Sequence, residues 1–117
     1  MDLSPYLNRL DILNDTALQV VKDFGMVGLE IKFSENAGNA YSELFAQVHP
    51  HIEKLLKGDT QTFYSLMYRI DISEGQIKKE TALAVDKPFS EVITDLILKR
   101  ELLKVVMRKS YAAGKKI

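Results

Sequence analysis

Residues 88–112 constrain this chain more than any other stretch. Pro88 fits the first turn of a helix without losing a bond, and neither Pro nor Gly follows until Gly114. At 100° per residue, Phe89, Val92, Ile93, Leu96, Leu103, Val106, Met107 and Tyr111 gather on one side of that helix. Leu98, Leu102 and Val105 gather on the other. A helix that is apolar on two faces is either central in a bundle or covered by another chain. The expectation is an all-α fold: a compact bundle of four or five helices around a long C-terminal helix, forming one domain over residues 1–117.

Earlier segments supply the surrounding helices. Ser4-Pro5 opens the first, with Leu7, Leu10, Leu13, Ala17, Val20, Val21 and Phe24 as its apolar stripe. Asn14-Asp15-Thr16 are poor helix formers, so residues 5–25 read as one helix or as two hinged there. Gly25 and Gly28 are stops. A second stripe runs from Tyr41 to Leu56, with Pro50 predicting a kink or break near His49, and Gly58 ends it. Asp59 or Thr60 caps a third helix carrying Phe63, Leu66, Met67 and Ile70. Ser73-Glu74-Gly75-Gln76 is a capping box that starts a short helix to about Val85.

One segment departs from helical period. Leu29-Glu30-Ile31-Lys32-Phe33 alternates apolar and charged residues, as a half-buried strand does. A strand needs a ladder partner. Ala82-Leu83-Ala84-Val85 is one candidate, and the same segment of a second chain is another.

Charge is informative only by position. The 16 basic and 16 acidic residues cancel, which argues against a dedicated nucleic-acid or membrane-surface binder. Residues 1–60 nevertheless carry −4 and residues 61–117 carry +4, with Lys99, Arg100, Lys104, Arg108, Lys109, Lys115 and Lys116 facing only Glu101 in the tail. Arg100 falls within the main apolar stripe of the last helix. It reads either as a packed stem whose head reaches water or a nearby Glu, or as a candidate partner for an anion or carboxylate.

Little in the sequence points to a reaction. With no Cys there is no disulfide framework, thiolate metal site or cysteine nucleophile. His49 and His51 lie two apart and do not share a helix face. His49 and Glu53 do share one, yet two ligands do not make a metal site. Gly25-Met26-Val27-Gly28 lacks the residues of a nucleotide loop. Neither histidine is identifiable as a base for a Ser or Thr nucleophile. Tyr64, Tyr68 and Asp71 form an aromatic–carboxylate ledge, readable as a binding site or as the edge of a core. No cofactor, metal or catalytic residue is expected. The N-terminus has no basic leader before an apolar run, and no stretch is apolar enough to span a bilayer, so the expected location is cytoplasmic.

Residues 66–79, from Leu66 to Lys79, place Ile72-Ser73 between two short helices. This resembles the helix-turn-helix of DNA-binding proteins. The resemblance implies that the second helix enters the major groove, with Glu74, Gln76, Lys78 and Lys79 at the bases. The bulky Met67 and Asp71 stand where that family has a small residue and a turn glycine, and Glu74 would repel phosphates.

The leading functional expectation is a non-enzymatic interaction module that self-associates or binds a protein partner. Three features motivate it: the second apolar face at Leu98, Leu102 and Val105, the unpartnered strand, and the complementary charge of the two halves. DNA binding through Gln76, Lys78 and Lys79 is the alternative, and an enzyme or small-ligand binder stands third.

Overall fold

The computed structural model describes residues 4–6 and 9–112. Five helices account for most of them, and no strand occurs among the described residues. They are α1 (Leu10–Gly25), α2 (Ala40–Gly58), α3 (Thr60–Ile70), α4 (Glu74–Leu83) and α5 (Phe89–Ala112). The all-α architecture follows from the apolar stripes, and α5 is its spine.

Local chemistry sets most boundaries. Asp59 caps α3 by accepting from the Thr62 N–H at 3.1 Å. The capping box of α4 is complete: Ser73 Oγ accepts from the Gln76 N–H, and Gln76 Oε1 accepts from the Ser73 N–H. Between α3 and α4, Asp71 adopts the left-handed conformation at φ 67° that a turn glycine would otherwise supply. Gly28, at φ 82°, turns the chain out of α1.

The first helix starts later than its sequence predicts. Ser4–Tyr6 is a single 3-10 turn, and α1 begins at Leu10. Leu7 lies outside the described residues, and Leu10 is exposed. Ile12 and Thr16 are buried in its place. Asn14-Asp15-Thr16 does not break the helix, because Ile12, Leu13, Ala17 and Val20 on either side of it are buried, and the buried Thr16 hydroxyl is satisfied by the Ile12 carbonyl at 2.7 Å. Nor does Pro50 break α2, which continues through it with the proline ring exposed. Water can then reach the carbonyl that Pro50 leaves without its helical donor.

The expected strand at residues 29–33 is instead an extended segment laid along α2. Its alternation survives: Leu29, Ile31 and Phe33 turn toward the core, with Ile31 buried and the other two partly so. Its ladder partner is a row of side chains. His51, Gln47 and Glu43 stand one turn apart on α2, and they meet Glu30, Lys32 and Ser34 in turn. Two residues of extended chain advance about 6.6 Å and four residues of helix about 6 Å, so the two rows stay in register. Ala82-Leu83-Ala84-Val85 is not a strand; it holds the end of α4 and the turn after it.

α5 runs antiparallel to two neighbours. Its N-terminal half passes α2, with Asp95 meeting Tyr41 and Ser90 meeting His49. Its C-terminal half passes α1, with Lys109 meeting Asp15 and Lys104 meeting Asp23. This corrects the assignment of Leu98, Leu102 and Val105 to an interface. All three are buried within the chain, Leu98 in the main core and Leu102 and Val105 against Ile12 in a smaller cluster. The stripe read as the main one is the less buried: Phe89 and Tyr111 are exposed, and Leu96, Leu103 and Met107 are only partly covered. Two different elements cover the two ends of one long helix, which the helical wheel of a single segment does not show.

Candidate functional site

The densest chemistry lies where α1, α3 and α5 meet. Asp23 follows Val20 by three residues and precedes Phe24, so the stripe that buries those two also buries its carboxylate. Glu101 lies four residues from both Ile97 and Val105 and is fully buried with them. Lys104 reaches in from the rim of α5, its Nζ 3.0 Å from Asp23 and 3.2 Å from Glu101. Arg69 of α3 approaches Asp23 at 3.4 Å. Gln19 donates to Asp23 at 3.1 Å and accepts from Arg108 at 3.0 Å, which carries the network to the surface. There Asp15, Leu18, Gln19, Lys22 and Arg108 line a shallow groove of about 270 Å³.

The two carboxyl groups differ sharply. Burial pushes Glu101 up to about 8, and the neighbouring Asp23 charge adds to it. Burial also acts on Asp23, but hydrogen bonds from Glu101, Lys104 and Gln19 outweigh it and hold Asp23 below its ordinary value. The Lys104 ammonium lies off the hydrogen-bonding direction of Glu101, and an ionised Glu101 has no donor for either oxygen. A protonated Glu101 can donate to Asp23. At neutral pH the pair therefore holds one proton between two carboxyls beside one ammonium.

The residues singled out by sequence fare differently. Arg100 Nη2 lies 2.7 Å from Asp71, and its Nε donates to the Ile70 carbonyl at 3.4 Å. Its carboxylate partner is thus in its own chain, tying α5 to the end of α3. That also turns Asp71 toward Arg100, while Tyr64 and Tyr68 are exposed. Gln76 is engaged in the α4 cap, and Lys78 and Lys79 are exposed. α4 packs chiefly on α5 rather than on α3. Three bases of the tail find acids at home, Lys99 with Asp95, Lys104 with Asp23 and Lys109 with Asp15, while Lys115 and Lys116 lie outside the described residues.

His49 bridges α2 and α5. Its Nε2 lies 2.9 Å from Ser90 Oγ, and its Nδ1 lies 3.6 Å from Glu53 Oε1. Among the described residues no group of three or more His, Asp or Glu side chains could hold a metal ion. No helix there is long and apolar enough to cross a membrane.

Sequence reasoning missed Asp23 and Glu101. The signal was present, since Glu101 stands four residues from both Ile97 and Val105, and Asp23 stands three residues after Val20 and next to Phe24. Their meeting, however, joins residues far apart in the chain. Comparison with protein-family models, curated proteins and solved structures returns no match.

Proposed function

We propose that this chain is a small helical interaction module that self-associates through the corner where α4 passes into α5. The observation that carries this reading is exposure. Leu83, Val85 and Phe89 are 72%, 80% and 42% exposed within seven residues of chain. α4 itself has no buried residue, so this corner has surplus apolar surface of the kind that marks contact sites.

The sequence motives for self-association are each met within the chain, and the surface differs from the one expected. Leu98, Leu102 and Val105 are covered, the extended segment is paired by α2, and Lys104 and Lys109 are paired with Asp23 and Asp15 of α1. Leu83, Val85 and Phe89 are left uncovered close together in the chain, on a molecule of zero formal net charge. Two copies do not repel as whole charges, and an apolar patch turned on itself by a two-fold axis is its own complement. A corner of three side chains belongs to the weak, transient class of contact.

Sedimentation velocity from micromolar to millimolar concentration tests the proposal. The expected result is a mass that rises from monomer toward dimer. A variant carrying Leu83→Ser, Val85→Ser and Phe89→Ser stays monomeric with an unchanged helical circular-dichroism spectrum. A monomer over the whole range, or a variant that associates like the parent, overturns it.

A further inference from the structure

We propose that Ser90, His49 and Glu53 form a nucleophilic acyl-transfer site at the α2–α5 crossing, able to cleave small carboxylic esters. Thr16, Thr81 and Thr94 each donate to the carbonyl four residues earlier in their own helix. Ser90 is the second residue of α5 and has no such helical carbonyl behind it. Its hydroxyl faces His49 Nε2 instead, at 2.9 Å.

The imidazole is set for that role from its other side. Glu53 lies one turn along α2, and its Oε1 approaches Nδ1 at 3.6 Å. At that distance Glu53 acts by charge rather than by a hydrogen bond, favouring the tautomer with its proton on Nδ1, in which the Nε2 lone pair accepts from Ser90. Phe45, one turn before His49, stacks on the ring with centroids 5.6 Å apart and restricts its swing. Nucleophile, base and orienting carboxylate thus stand in the order that activates a hydroxyl. Because α2 and α5 are antiparallel, the base pair on α2 meets the first turn of α5. Its positive end favours the negative charge that develops during attack.

The reaction balances without a cofactor. Ser90 Oγ attacks the ester carbonyl carbon as its proton passes to His49 Nε2. The bond to the alcohol oxygen breaks, and the leaving alcohol takes that proton. Water then attacks the acyl-Ser90 ester, giving a proton to Nε2 that returns to Ser90 Oγ as the acid leaves. Glu53 acts through His49 and is a positioning residue. Phe45, stacked on His49, favours an apolar acyl group.

The inference does not depend on self-association, so the tests use concentrations at which the chain is monomeric. A fluorophosphonate probe is incubated with the full chain, and the adduct is mapped by mass spectrometry. The expected adduct is single, lies on Ser90, disappears in Ser90→Ala, and forms about 100-fold more slowly in His49→Gln. Glu53→Gln slows it, and Glu53→Asp restores part of the rate. The parent has no Cys, so Ser90→Cys offers a second readout. Its thiol should react with iodoacetamide about 10-fold faster than in the urea-unfolded chain, and lose that advantage with His49→Gln. No adduct on Ser90, an adduct on a different residue, or labelling indifferent to His49 in both assays overturns the proposal.

Discussion

The carboxamide of Gln47 brackets the backbone of Lys32, accepting from its N–H at 2.8 Å and donating to its carbonyl. One helical side chain thereby does what a neighbouring strand would do for that residue. Gln47→Ala removes both bonds at once and should lower stability by about 1–2 kcal/mol, each bond being worth roughly 1 kcal/mol net. Native-state hydrogen exchange reads the effect locally. The Lys32 amide should lose protection while amides in the middle of α5 keep theirs relative to global unfolding.

Glu101 makes stability depend on pH in a direction opposite to the usual carboxylate. Its ordinary value is 4.5 and its folded value about 8, so between those limits the folded chain holds a proton that the unfolded chain has released. Its contribution is complete below about pH 4.5 and is lost as pH rises toward about 8, at roughly 1.4 kcal/mol per pH unit. Glu101→Gln keeps the shape and removes the titration. Urea unfolding at several pH values should show the parent weakening across that window and the variant nearly flat.

Asp23 should be the costliest charge to remove. It is buried and receives Gln19 and Lys104, with Arg69 beside it. Asp23→Ala leaves Glu101 without an acceptor and Lys104 without its nearest anion, and should cost about 3 kcal/mol. Arg100→Ala breaks a pair whose partner Asp71 is largely exposed, and should cost about 1 kcal/mol. Equal losses in chemical denaturation would contradict the ranking.

Pro50 interrupts the hydrogen-bond ladder of α2 without ending the helix. Pro50→Ala should restore that bond and raise the thermal midpoint, with a gain of about 1–2 kcal/mol after the added freedom of the unfolded chain is deducted. A lowered midpoint would show that the ring of Pro50 contributes more through the unfolded chain than the missing bond costs.

Periodicity made the helices legible because helical burial is a local property. Phe63, Leu66, Met67 and Ile70 recur at helical spacing and are all buried, and the Ser73–Gln76 cap forms as its residue types predict. The alternation at residues 29–33 correctly marked an extended, one-sided segment. It did not reveal the partner, because Gln47 bonds Lys32 across fifteen residues of chain. The candidate sites were hidden for the same reason. Lys104 and Asp23 lie 81 residues apart, and His49 and Ser90 lie 41 apart.

What the sequence determined alone is the helical class, most helix boundaries and the central rank of α5, since each depends on spacing within one segment. The tertiary structure decided which face of α5 is inside, and so placed Leu98, Leu102 and Val105 in the core rather than at an interface. It also decided that the acidic front and basic tail of the chain answer each other within one molecule. Both outcomes depend on how separate helices cross. That crossing is set by packing between segments and by the Asp23–Glu101–Lys104 network, none of which a single segment's pattern contains.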